Sequence, residues 1–352
     1  MQWRGIIEHY RSRLPVSEKT PVVSLYEGQT PLMEVPNLAK AIGAEFRIFL
    51  KYEALNPTCS FKDRGMTLAI SKAKERGAQI AVCASTGNTS AAAAAYAARA
   101  GMKCAVILPN KNIAMGKLAQ AIMYGAQILA IEGNFDDALN LVRQMGNESS
   151  VEIVNSINPV RIEGQKTAAF EICDFLGDAP DFHFLPVGNA GNITAYWRGF
   201  REYFKDKVTT RLPKMMGYQA AGAAPIVENR IIADPQTVAT AIRIGNPASW
   251  EGAKQAVQES SGRVDKVTDE EILDAYRLVA KSEGIFAEPA SVAGIAGLIK
   301  VHRAGLIPAG SKVTITLTGH GLKDPDAAIK NGGTTPQTVP AEINAIMKAV
   351  LA

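Results

Sequence analysis

The feature that most limits the fold is an alternation of short apolar, β-branched runs with longer alanine-rich helical patterns. Residues 46–53 read as a strand and 60–76 as a helix ended by Gly77. The pattern repeats as strand 79–84 and helix 89–99, which Gly101 ends, then strand 103–108 and helix 115–124, stopped by Gly125. Strand 127–131, helix 136–145 with Gly146, and strand 151–154 complete the block. Each glycine stands where a left-handed residue closes a helix. Strands alternating with helices of this length predict an α/β fold of open, mostly parallel sheets flanked by helices. Further strands are expected at 183–187, 214–218 and 313–318, and a helix at 194–204. We expect residues 56–155 to form a smaller domain inserted into a larger one made of 1–55 and 156–352.

Composition narrows the partners. Of 352 residues, 47% are hydrophobic and 20% charged, with a net charge of +4. No run of Lys or Arg forms a stripe, so neither nucleic acid nor a membrane surface is an expected partner. The segment 1–13 has no apolar core of a signal peptide, and 90–109 is mostly alanine broken by Arg99 and Lys103, too weakly apolar to span a bilayer. Cys59, Cys83, Cys104 and Cys173 are widely spaced, and no His sits at metal-finger spacing. A reducing, cytoplasmic compartment is expected, and no metal site.

Four segments carry candidate chemistry. In Asn56-Pro57-Thr58-Cys59-Ser60-Phe61-Lys62-Asp63-Arg64-Gly65, Pro57 blocks helix upstream, and Ser60 with Asp63 matches a capping box. Lys62 then falls in the first helical turn, where the dipole disfavours a cation. That placement suits an amine needed neutral for Schiff-base chemistry. Spacing alone favours a solvated surface lysine paired with Asp63, since lysines at helix starts are not rare. Ser85-Thr86-Gly87-Asn88-Thr89-Ser90 follows a strand and opens a helix, offering more hydrogen-bonding side chains than one cap requires. In Gly188-Asn189-Ala190-Gly191-Asn192, two glycines and two asparagines permit the positive φ angles of an anion-binding nest. Neither the dinucleotide G-x-G-x-x-G nor the phosphate-loop lysine is present there. Finally, Thr318-Gly319-His320-Gly321 ends a probable parallel strand, the edge at which open sheets bind ligands. His320 reads more simply as structural, and Glu288 as a carboxylate at a helix start.

NPTCSFKDRGM, STGNTSAAAAAYAARAG, NSINPVRIEGQKTAAFEI, PVGNAGN and LTGHGLKDP occur in this order across nearly the whole chain. Together they resemble the tryptophan-synthase-β class of pyridoxal-phosphate (PLP) enzymes, fold type II, and within it the threonine synthases of the short bacterial type. The resemblance implies PLP as cofactor and Lys62 as its Schiff-base lysine. It implies that Gly188, Asn189, Ala190, Gly191 and Asn192 hold the cofactor phosphate, Asn88 the 3′-oxygen and Thr318 the pyridine nitrogen. Ser85, Thr86 and Thr89 are then expected at the substrate α-carboxylate. Asn155, Ser156 and Arg161 are expected at the phosphate of O-phosphohomoserine. The implied reaction is γ-elimination of phosphate followed by addition of water at Cβ, in a homodimer. Threonine or serine dehydratase is the alternative of the same fold, but it needs no phosphate pocket.

Overall fold

Among the described residues, ten strands form two sheets. A computed structural model describes residues 2–110, 115–133, 135–333 and 336–351. The larger sheet has the order β1-β2-β10-β7-β8-β9: β1 (Leu32–Glu34), β2 (Arg47–Tyr52), β10 (Lys312–Leu317), β7 (Phe182–Pro186), β8 (Lys214–Ala220) and β9 (Arg263–Val267). All its pairings are parallel except β1 with β2. The smaller sheet, wholly parallel, has the order β5-β4-β3-β6: β5 (Gln127–Ile131), β4 (Lys103–Pro109), β3 (Ile80–Ala84) and β6 (Val151–Ile153). The expected fold class is therefore the observed one. Among the described residues no helix is long and apolar enough to cross a membrane.

Strand β10 lies centrally and is buried on both faces. Val313, Ile315 and Leu317 enter the core on one side. On the other, His183 hydrogen-bonds to Thr314 Oγ1 (2.7 Å) and Thr316 Oγ1 (3.1 Å), so the threonine hydroxyls do not go unpaired in the core. Burial pushes the imidazole down to about 3, so it stays neutral.

Three expectations change in detail. The helix after Pro57 starts at Lys62 rather than Ser60 and runs Lys62–Glu75. The capping box does not form: Asp63 turns back to accept from the Thr58 N–H (3.1 Å) and Oγ1 (2.7 Å), while Ser60 pairs with Gly319. Gly77, Gly101 and Gly125 adopt positive φ, but Gly146 does not. The helix Phe135–Met145 ends in tight turns instead, Asn147 N–H to Gln144 O and Glu148 N–H to Met145 O (both 3.1 Å). A Cβ on Gly146 would stand 2.3 Å from Ile153 Cδ1, so a larger residue there would have to displace the Ile153 side chain of β6.

Candidate active site

The carboxyl ends of β3, β7 and β10 open on one cleft of about 430 Å³. Backbone pairing builds its floor. Phe61 N–H donates to Thr318 O (2.9 Å), His320 N–H to Cys59 O (3.1 Å), and Glu288 N–H to Gly319 O (2.9 Å). The end of β10 thereby knits the Lys62 segment and the Glu288 loop to one point. All the residues proposed from the sequence line this cleft: Lys62; Ser85, Thr86, Asn88 and Thr89; Asn155, Ser156 and Arg161; Gly188 to Asn192; and Thr318.

Lys62 is partly buried, with Nζ 4.3 Å from the Phe61 ring centroid. Burial first, and then the Arg161 cation, press its amine down to about 7, against a smaller opposite pull from Glu288. This is not a solvated lysine paired with Asp63, whose carboxyl is bound to Thr58. Arg161 is 2% exposed and donates Nη1 to Val154 O (3.0 Å), while its Nε has no partner among the described residues. Asn155 spans both backbone groups of Ala84, accepting from N–H and donating to C=O (3.0 Å each). Thr318 Oγ1 lies 2.9 Å from Ser291 Oγ.

The Gly188–Asn192 loop departs from expectation in its conformation. Neither glycine takes positive φ; Ala190 does, at 63°, as N-cap of the helix Gly191–Lys205, which starts three residues before the expected 194. Gly188 sits close against the next wall: a Cβ there would lie 3.1 Å from Ile242 Cα, so that wall would have to give by a few tenths of an ångström. Asn189 ties the loop to the next wall, accepting from Ala248 N–H (3.3 Å) and Ser249 N–H (3.0 Å). Asn192 is buried with both side-chain amide atoms unpaired among the described residues.

The profile of the pyridoxal-phosphate-dependent enzyme family matches residues 23–319. The threonine synthase of Synechocystis sp. is 60% identical over 332 residues, 94% of this chain and 86% of that protein. That of Halalkalibacterium halodurans is 57% identical over 346 residues, 98% and 97% of the two chains. The chain belongs to the threonine synthases, within the PLP-dependent enzymes. Among solved structures, processed threonine deaminase isoform 2 from Solanum lycopersicum superposes with a TM-score of 0.72 at 21% identity, covering 84% and 80% of the two chains. An O-ureido-L-serine synthase variant reaches 0.74 at 18%, covering 92% and 96%. These two show the shared fold.

The cleft suits the family's cofactor. A buried asparagine whose amide has no partner among the described residues, a closely packed loop and a helix N-terminus are features that fit a phosphate group. A lysine held near neutrality stands in the same cleft.

Sequence reasoning underrated several lining residues. Glu288 does stand at a helix start, the N-cap of the 3-10 turn Pro289–Val292, but its side chain caps nothing; it lines the cleft and accepts from Asn88 Nδ2 at 3.1 and 3.3 Å. Lys323, inside the quoted LTGHGLKDP, lines the cleft and bonds Gln120 on the helix Met115–Met123. Gln165 and the wall 240–244 also belong to it. His320 is structural as expected: its Nδ1 accepts from Leu322 N–H (3.2 Å) and its ring packs near Phe286.

Proposed function

We propose that the protein converts O-phospho-L-homoserine and water to L-threonine and phosphate. The observation that carries this is Lys62, its amine near 7, sharing a cleft with the buried, incompletely paired Arg161. Bound PLP supplies an electron sink for carbanion charge on the substrate. Lys62 holds the cofactor and, once the substrate amine takes its place, moves protons at Cα and then Cβ. Gly188, Asn189, Ala190, Gly191 and Asn192 hold the cofactor phosphate, Asn88 Nδ2 the 3′-oxygen and Thr318 the ring nitrogen. A neutral hydroxyl at that nitrogen does not favour its protonation, unlike a carboxylate.

Ser85, Thr86 and Thr89 receive the substrate carboxylate at the start of the helix Asn88–Ala100. Asn155, its amide committed to Ala84, fixes the wall on which Ser156 and Arg161 meet the substrate phosphate. The four strands of the smaller sheet fall within 80–153, which supports 56–155 as the smaller domain. The four unpaired cysteines support a cytoplasmic setting. By its resemblance to the family, the working unit is a homodimer.

The direct test is phosphate and threonine release from O-phosphohomoserine in one tube. Equal amounts support the reading; no release, with L-threonine or L-serine deaminated instead, replaces it by the dehydratase.

Arg161→Gln is expected to lower kcat/KM about a hundredfold by removing a charge-assisted fork to phosphate. Because Arg161 depresses the Lys62 amine, the same change should move the rising limb of the pH profile upward. An unchanged kcat/KM would remove Arg161 from the phosphate site.

A further inference from the structure

Gln165 ends the helix Val160–Gln165 one turn after Arg161, and both side chains line the cleft. It is 4% exposed, and its Oε1 is buried with no hydrogen-bond partner among the described residues. A buried amide oxygen left without a donor costs about 1–3 kcal/mol, so its retention points to a ligand that carries a proton.

The position is enforced by two glycines. A Cβ on Gly65, one helical turn beyond Lys62, would lie 2.8 Å from Gln165 Nε2 and 2.9 Å from Arg161 O. A Cβ on Gly164 would lie 2.0 Å from Arg64 O. Backbone therefore meets backbone between the Lys62 and Arg161 helices. Residues 62 and 65 share one face of the first helix, and 161 and 165 one face of the second. The packing holds Gln165 against the Lys62 helix, in the cleft that Lys62 and Arg161 also line.

We propose that Gln165 accepts one hydrogen of the water that the reaction adds, holding its oxygen toward Cβ of the substrate. This rests on the threonine-forming reaction proposed above. The ionised carboxylate of the substrate has no proton to offer Oε1, whereas the water has two. One stays on the new hydroxyl and is held by Gln165 as the C–O bond forms at Cβ. The other leaves the water and is balanced by the proton that Lys62 delivers to Cα. Unless water reaches Cβ, Lys62 displaces the four-carbon unit from the cofactor, and the freed imine takes water at Cα; its C–N bond breaks, giving 2-oxobutanoate and ammonia. Addition of the held water at Cβ thus competes with release of the unit.

The test measures phosphate, threonine and 2-oxobutanoate together, with PLP-loaded protein and O-phosphohomoserine. Wild-type protein is expected to give close to one threonine per phosphate. In Gln165→Met the ratio of threonine to 2-oxobutanoate should fall about tenfold, the worth of one hydrogen bond in a transition state. Gln165→Glu keeps an acceptor and should restore most of the threonine share. Gln165→Asn, which withdraws the amide by one methylene, should also favour 2-oxobutanoate and serves if the Met variant does not fold.

An unchanged product ratio in Met and Asn, whatever the turnover, would assign Gln165 to packing and overturn the proposal. So would a shifted pH profile at constant ratio, which would make Gln165 a partner of the Lys62 amine. Loss of phosphate release in a folded Met variant would place Gln165 at an earlier step, with the same consequence. Failure of the underlying reaction reads differently: wild-type protein releases no phosphate, and both readings fall.

Discussion

Replacing Lys62 by alanine is expected to reduce threonine formation by about three to four orders of magnitude, the range lost with a general base that is also the covalent anchor. The measurement is phosphate release, read beside the visible absorption of protein reconstituted with PLP. That band should be lost or displaced in the variant. Lys62→Arg should not rescue either readout, because a guanidinium stays protonated. The pH dependence follows from the environment of the amine. An ordinary lysine near 10.4 is neutral in roughly 0.04% of molecules at pH 7, whereas one near 7 is neutral in half. A base must be neutral to take a proton. The rate is therefore expected to rise with pH through about 7 and then level off, instead of climbing toward pH 10. A Lys62→Ala protein with near wild-type turnover would remove the lysine from the mechanism.

How much of this was legible in the sequence varies with the range of the interactions. Strand Gln127–Ile131 and the helix closed by Gly101 depend on nearest neighbours, and both stand where periodicity puts them. Strands β1 and β9 were missed. β9 reads Arg-Val-Asp-Lys-Val, an edge strand whose charges blunt its open side and erase the apolar signal. The capping box was read from Ser60 and Asp63, yet Ser60 is drawn into a bridge with Gly319, some 260 positions along the chain. That pairing sets where the Lys62 helix begins, and no local pattern encodes it. The same holds for Gln165, whose place against the Lys62 helix depends on Gly65 meeting a helix about a hundred residues away. Gly188 announced a nest of positive φ, but the close approach of Ile242 explains it better.

Arg64→Met is expected to destabilise the protein by about 3–5 kcal/mol, the loss typical when one member of a buried ion cluster is removed and its partners stay. Two residues after Lys62, Arg64 is fully buried and forks onto two carboxylates. Nε and Nη2 bind Glu53, and Nη1 and Nη2 bind Glu171, all four bonds at 2.7 Å. Lys51 Nζ completes a balanced set of two cations and two anions, 2.6 Å from Glu171 Oε2. Methionine keeps the packing of the stem but strands Glu53 and weakens the hold on Glu171. Arg64→Lys should recover little, since an ammonium cannot fork onto both partners.

Urea unfolding at several pH values separates charge from packing. Burial pushes the Glu171 carboxyl up, but Arg64 and then Lys51 outweigh it and hold it near 2. A carboxylate depressed in the folded state stabilises above the unfolded pKa of about 4.3, and that contribution is lost as pH falls toward 2. The gap between wild type and Arg64→Met should therefore be widest at neutral pH and narrow below about pH 4, where protonation relieves the stranded carboxylates. A gap that does not change with pH would mean a packing loss instead. The cluster joins β2, the helix Thr167–Leu176 and the first turn of the Lys62 helix. A variant that still folds should accordingly hold Lys62 less firmly, and its affinity for PLP should fall even though Arg64 lies outside the cleft.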